Sequence, residues 1–410
     1  MPSSQETLRA LISERRPGWS LPQFFYRDEY CYQQEIEKIW RKFWLFAGHS
    51  CEVKAPGDYI NFELGLDSIL LVRQEDDSLK GLFNTCRHRG SQLTQMSCGN
   101  VKCFVCPYHQ WSYGKDGRLI NLGGATDDLN KEEFSLHSCN VKEVAGMIFL
   151  SFSSDPPDMT RAEEEIRSQL LPHGLDRAKV AHTETFLVNA NWKLVWENNR
   201  ECFHCRLGHP EYIRANYDIA SPDDVEVTAE IKAVYEKNKE KWQEMGVDLN
   251  HAQGGVPYFP TPGKWWRSIR TVLREGWVTQ SLDGKPVSTL MGDLKYREMG
   301  TLRVSTLPTL WNHSSSDHSV STQLVPLSPS QTKVKVSWLV HENAVEGKDY
   351  QLDRLTPLWK LTGEQDWRLC EVNHKGVLSS RYIPGPYSMD KEYNVDHFVT
   401  WYLDLMSAGT

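Results

Sequence analysis

The chain has 410 residues and a formal net charge of −8. That length exceeds one small core and predicts two domains; the acidic balance argues against nucleic acid, whose partners carry basic surfaces. No apolar run is long enough to span a membrane, and the N-terminus lacks a charged-then-apolar signal pattern, so a cytoplasmic protein with no membrane partner is expected.

In a reducing compartment the ten cysteines are expected to be ligands and core residues, not disulfides. The first 30 residues are polar and read as an arm, broken at Arg15-Arg16-Pro17-Gly18. Tyr30 to Phe46 is predicted helical, with an apolar stripe of Ile36, Ile39, Trp40, Phe43 and Trp44. From Gly57 the period shortens to two. Tyr59 to Leu64 alternates, Gly65 turns the chain, and short apolar runs follow at Ser68–Arg73 and Lys80–Asn84. Val144 to Phe152 closes this series.

Ser153-Ser154-Asp155-Pro156-Pro157-Asp158 reads as a linker. Beyond it the pattern predicts an acidic helix over Arg161–Leu171, a helix from Asn191, and a long irregular middle. Strand-like runs lie near Ile269–Leu273, Ser319–Pro326 and Thr332–Val340, and a last helical region covers about Asp349–Val372. The fold class expected is α+β. A small antiparallel β domain occupies residues 45–155. A second domain, with helices on an antiparallel sheet, occupies 156–410, and the arm and helix of 1–44 pack with it.

Two loops of the β domain carry Cys86-Arg87-His88 and Cys106-Pro107-Tyr108-His109. Structural zinc usually pairs like ligands, whereas each loop here offers one thiolate and one imidazole. That division suits a two-iron cluster with both sulfurs on one iron and both imidazoles on the other. Downstream, Glu197, Glu201 and His204 fall at i, i+4 and i+7 on one face of the Asn191 helix. Gly208 and Pro210 end that helix, so the chain can turn and bring His209 beside His204. Two imidazoles and a nearby carboxylate begin a metal site; a solvated helix end is the plain alternative.

Cys86-Arg87-His88-Arg89-Gly90 and Cys106-Pro107-Tyr108-His109-Gln110-Trp111 resemble the Rieske [2Fe-2S] domain of ring-hydroxylating oxygenases. The resemblance to the Rieske non-haem iron oxygenases covers nearly the whole chain. Glu201 stands where many members have Asp, and so is similar to their quaternary-ammonium branch. Trp192 to Asn198, Leu282 to Pro286, and Pro384 through Tyr402 carry the same likeness.

The resemblance implies a cluster on Cys86, His88, Cys106 and His109, and a mononuclear Fe(II) on His204, His209 and a downstream carboxylate. Asp366 fills that place in the family pattern; Glu364 and Glu371 compete, and spacing does not separate them. Glu201 is implied to bridge the two centres through a histidine ligand of each, the cluster histidine coming from a neighbouring subunit of a homotrimer. O2 is the implied co-substrate. Electrons are implied to come from NAD(P)H through a separate ferredoxin or flavin reductase.

The implied activity is N-demethylation of a small quaternary ammonium compound. Glycine betaine is preferred, with proline betaine (stachydrine), choline and carnitine as alternatives. A trimethylammonium group has no N–H to donate and is best held by aromatic faces. Phe203, Trp277 and Trp311 are the candidates for such a cage. His313, Asp317 and His318 either line the pocket or close a loop.

Overall fold

The computed structural model describes residues 2–124, 129–217, 225–249 and 264–408. The chain forms two compact units. One comprises Arg41–Asp158 with Leu175–Arg177; the other comprises Met1–Trp40, Met159–Gly174 and Ala178–Thr410. The N-terminal arm is thus part of the larger unit.

The smaller unit is antiparallel throughout. Its main sheet runs in the order Leu45–His49, Met147–Ser151, Ser138–Val144, Leu79–Phe83, Asp67–Arg73, Asp58–Leu64, Cys98–Asn100. A second sheet of three short strands, Phe104–Val105, Ser112–Tyr113 and Leu119–Asn121, carries the second Cys-His loop. Tyr59, Leu70, Val72, Leu82, Leu93, Phe104, Trp111 and Tyr113 form one buried cluster that encloses Cys86 and Cys106.

In the larger unit a six-stranded antiparallel sheet runs Lys179–Val188, Gln331–Val340, Ser319–Ser328, Leu310–Ser314, Thr301–Thr306, Trp266–Thr271. The helices Trp192–Asn199 and Pro357–Val377 pack against it, and the helix Met389–Ser407 packs on the former through Phe398 and Tyr402. The first of these is the best-buried: Trp192, Lys193, Leu194, Val195 and Trp196 are all inside. Asn191 caps it by accepting the Lys193 N–H at 3.0 Å, one of the orphan donors at a helix start. Burying an indole is worth at most about 4–6 kcal/mol from its area. Both indole N–H groups are satisfied, Trp192 on Glu35 Oε2 (2.7 Å) and Trp196 on Pro308 O (2.6 Å).

Several expectations are corrected. The helix expected over Tyr30–Phe46 runs only from Glu29 to Glu35, widens to a π-helical turn over Ile36–Trp40, and gives way to strand at Leu45. The irregular middle contains the helix Val225–Glu244, and Met389–Ser407 is a further helix after the expected last one. The strands Lys179–Val188, Thr301–Thr306 and Leu310–Ser314 were not foreseen. No helix among the described residues is long and apolar enough to cross a membrane.

Candidate active site and metal centres

The two Cys-His loops repeat one another. Cys86 N–H donates to Ser91 O (2.8 Å) and Gly90 N–H to Cys86 O (2.9 Å); Cys106 N–H donates to Trp111 O (2.8 Å) and Gln110 N–H to Cys106 O (3.0 Å). Four residues after each cysteine the backbone is left-handed, at Gly90 (φ 82°) and Gln110 (φ 61°). Glycine takes that conformation freely and glutamine does not. The His88 and His109 rings meet edge to face with centroids 4.6 Å apart, and His88 stacks on Trp111 at 4.9 Å.

Both cysteines are buried. The Tyr113 hydroxyl lies 3.3 Å from Cys86 Sγ. Burial pushes the Cys106 thiol up, but hydrogen bonds from the Tyr108 and His109 N–H groups and from the Cys86 and Ser91 side chains bring it below its usual value. Paired sulfurs with N–H groups aimed at one of them, beside paired imidazoles, fit a cluster bound by sulfur at one iron and nitrogen at the other.

The second centre departs from the single helix expected. The helix from Trp192 stops at Asn199. Glu201 Oε2 then accepts the N–H groups of Phe203 and, at 3.4 Å, His204. A side chain that takes up local N–H groups competes with helix propagation. Cys202 and Cys205 are joined by a disulfide, against the expectation that all ten cysteines stay reduced. One helical turn follows, Cys205–Gly208; His209 then leaves the helical region (φ −135°, ψ 67°), and Pro210 starts the next helix, Pro210–Ala215.

This break at Gly208–Pro210, expected from the sequence, brings the two imidazoles together. His204 Nε2 lies 3.1 Å from His209 Nε2. Asp366 Oδ1, from the Pro357–Val377 helix, lies 3.2 Å from the first and 2.8 Å from the second. Neighbouring corners of an octahedron with bonds of about 2.1 Å are about 3.0 Å apart, and those of a tetrahedron about 3.4 Å. The three atoms therefore fit one octahedral face of a metal ion, the 2-His-1-carboxylate arrangement. Cys205 Sγ is also near, 4.0 Å from His204 Nε2. It is committed to the disulfide and offers no thiolate.

The far nitrogens are held as metal-binding histidines require. His204 Nδ1 pairs with Glu201 Oε1 at 2.5 Å, and His209 Nδ1 with Gln365 Oε1 at 2.8 Å. Both contacts place the proton on Nδ1 and leave the Nε2 lone pairs for a metal. Burial works against charge on His204, yet Asp366 and Glu201 raise it to about 10. The same pair interactions raise His209 and lower Asp366. The site thus stabilises positive charge, as protons or as a cation. Of the competing carboxylates, Glu371 binds the Asn189 N–H at 2.9 Å and Glu364 is exposed.

A cavity of about 180 Å³ opens beside the triad, within the larger unit. Trp311 lines it, as do Trp359, Trp367, Tyr212 and His313. Phe203 and Trp277, expected in the same aromatic cage, do not. Phe203 is exposed beneath Lys391 Nζ at 4.4 Å, and Trp277 packs on Gly284, where a Cβ would meet its ring at 2.6 Å. Asp317 and His318 are buried and bind each other at 2.8 Å; Asp317 also receives the Thr279 hydroxyl and the Val287 N–H, so this pair closes a loop.

A cysteine-histidine β unit and a unit with a 2-His-1-carboxylate centre in one chain define an oxygenase of the Rieske non-haem iron class. Residues 43–132 match the Rieske [2Fe-2S] domain, and residues 175–408 match the ring hydroxylating alpha subunit (catalytic domain). The glycine betaine monooxygenase oxygenase subunit of Chromohalobacter salexigens is 38% identical over 98% of this chain and 89% of its own. That of Pseudomonas aeruginosa is 36% identical over 97% and 91%. The crystal structure of the quaternary ammonium Rieske monooxygenase CntA shares the fold at a TM-score of 0.71, with 19% identity over 97% of this chain and 98% of that one.

The chain belongs to the Rieske ring-hydroxylating oxygenase alpha subunits. It is the oxygenase component of a system that uses a Rieske [2Fe-2S] cluster, a mononuclear iron, O2, and NAD(P)H through a reductase.

Proposed function

We propose that this oxygenase N-demethylates a quaternary ammonium compound, glycine betaine first, giving dimethylglycine and formaldehyde. The observation that carries the reading is the triad of His204, His209 and Asp366 opening onto a tryptophan-rich cavity. The relatives named for glycine betaine, at 36–38% identity over nearly the whole chain, support that substrate. Proline betaine, choline and carnitine share the cationic head and are the alternatives.

Cys86, His88, Cys106 and His109 would hold the cluster, and His204, His209 and Asp366 the iron. Once bound, these groups relay electrons singly and activate O2. The chain's own part is position and exclusion. Glu201 and Gln365 fix the ring planes of His204 and His209. Trp311, Trp359 and Trp367 offer faces to a cation that cannot donate a hydrogen bond. One methyl carbon of the substrate gains an oxygen atom from O2; the other oxygen leaves as water with two electrons and two protons. The C–N bond of the hydroxymethyl group then breaks, releasing formaldehyde, the tertiary amine and a proton.

The assembly we infer is a homotrimer in which Glu201 also accepts a hydrogen bond from a cluster histidine, His88 or His109, of the neighbouring subunit. Support comes from Phe203 and Leu207, large apolar side chains left exposed in the single chain on either side of His204. The reading is tested by incubating the purified oxygenase with a reductase, NADH and a panel of glycine betaine, proline betaine, choline and carnitine. Formaldehyde with glycine betaine as the best substrate is expected. Oxygen uptake with none of the four would overturn it.

A further inference from the structure

One wall of the cavity carries arginines that form no ion pair among the described residues. Paired strands place residues directly opposite on the same face of a sheet. Arg267 opposes Ser305, Ser305 opposes Trp311, and Trp311 opposes Thr322. Arg303 opposes His313 and lies two residues from Ser305, so it shares that face. One side of the sheet therefore presents Arg267 and Arg303 at one end and Trp311 beside them, and all three line the cavity.

Among the described residues neither guanidinium has a carboxylate partner. Arg303 donates from Nη2 to the Tyr212 hydroxyl (3.0 Å) and Asn216 Oδ1 (3.4 Å), while its buried Nε has no acceptor. The buried Nε of Arg267 has none either. Arg200, which also lines the cavity, repeats the pattern at its own Nε. Burial lowers Arg267 to about 10, with Tyr393 opposing and Arg303 adding to the fall. His313 is held neutral by burial and by the same two arginines. Buried N–H donors and unpaired positive charge are costly. An anionic ligand group satisfies both at once, and the guanidinium fork matches a carboxylate.

The geometry also places this end at a defined remove from the iron site. The Tyr212 ring lies 6.4 Å from the His209 ring, and its hydroxyl receives Arg303. One tyrosine thus separates the guanidinium from the triad. Trp359 contacts both His313, stacked at 4.2 Å, and Tyr212, edge-on at 5.9 Å.

We propose that Arg267 and Arg303 bind the carboxylate of a zwitterionic substrate and so select betaines over choline. This rests on the reading of the cavity as the substrate site. Choline carries the same trimethylammonium head but a hydroxyl in place of the acid, and leaves both arginines unpaired.

The test uses the iron-loaded oxygenase with its reductase and compares wild type with Arg267→Gln, Arg303→Gln and Arg303→Lys. Three ligands are measured: glycine betaine, choline, and 3,3-dimethylbutanoate, which keeps the carboxylate and replaces the ammonium by carbon. Loss of a charged hydrogen bond predicts that the kcat/KM ratio of glycine betaine to choline falls about 10- to 100-fold in each glutamine variant. The inhibition constant of 3,3-dimethylbutanoate should rise by a similar factor, with part of both losses recovered in Arg303→Lys. Iron content and the visible cluster spectrum report whether each variant is folded, and Arg267→Gln and Arg303→Gln are independent probes. An unchanged ratio and unchanged inhibition in folded variants would overturn the assignment while leaving the demethylase reading intact. If wild type turns over neither amine, but binds the anionic analogue by calorimetry and loses it in the variants, the demethylase reading fails and the arginine site stands.

Discussion

Replacing Lys193 by Met isolates what holds the metal-bearing segment in place. Lys193 lies in the helix that leads to Glu201 and His204, and its ammonium is paired with Glu35 at 2.5 Å, both side chains being fully buried. Glu35 also accepts the Trp192 indole N–H (2.7 Å) and the Tyr402 hydroxyl (2.6 Å). The ammonium lies 5.1–5.6 Å from the rings of Tyr26, Trp192 and Tyr402. Methionine fills the space but strands the carboxylate. Removing one partner of a buried pair costs about 3–5 kcal/mol. The three remaining neutral donors to Glu35, with the Cys31 thiol at 3.7 Å as the third, place the loss near the lower end, ~3 kcal/mol, or roughly 5–10 °C in Tm for a unit of this size. Adding Glu35→Gln should return most of that loss, because no buried charge remains. Thermal melts of the two single variants and the double variant measure the coupling directly. A Lys193→Met protein as stable as wild type, or a double variant no better than the single, would refute this reasoning.

The other predictions concern the centres and pH. Glu201→Gln weakens the hold on His204 Nδ1, and affinity for the mononuclear iron should drop about 10- to 100-fold with the cluster spectrum unchanged; equal affinity by metal competition would contradict it. Gly123→Ala places a Cβ 2.1 Å from the His109 carbonyl oxygen, so the second cluster loop must shift and cluster content should fall, as read from visible absorption and the reduced-state EPR signal. Glu197 is raised by burial from its ordinary 4.5 to about 7, with the Tyr26 hydroxyl and Lys193 opposing and Glu392 adding. A raised carboxyl stabilises the fold below pH 4.5 and loses that contribution as pH rises through 7. Glu197→Gln should therefore be more stable than wild type at pH 8, by up to ~3 kcal/mol, and the difference should vanish at about pH 4. A pH-independent difference would sink that assignment.

What could be read from the chain followed the range of each signal. The Cys86–His88 and Cys106–His109 loops are local, so their ligands were visible from spacing, and the structure closes each with the same pair of backbone hydrogen bonds. His204 and His209 were visible for the same reason. The turn at Gly208–Pro210 between them was legible as well; what was missed is the break upstream of His204, which depends on Glu201 capturing nearby N–H groups that no periodicity records. Asp366 lies 157 residues beyond His209 and could be chosen over Glu364 and Glu371 only by resemblance. The strands Thr301–Thr306 and Leu310–Ser314 were missed because their faces mix Arg303, His313 and buried hydroxyls with apolar residues. That irregularity marks the cavity wall, and an arginine inside a strand-like run such as Trp266–Thr271 was the available clue. Phe203 and Trp277 show the converse: an aromatic residue near a site in sequence need not face it.

Iron and acid-labile sulfide counts on His204→Ala, with the visible spectrum taken on the same sample, address the central arrangement. Wild type should hold about three irons per chain, two with the Rieske sulfides and one at the triad. The variant should keep both sulfides and the cluster spectrum, retain about two irons, and release no formaldehyde from glycine betaine. A variant that still carries about three irons and turns over betaine at the wild-type rate would contradict the placement of the oxygen-activating metal on His204, His209 and Asp366.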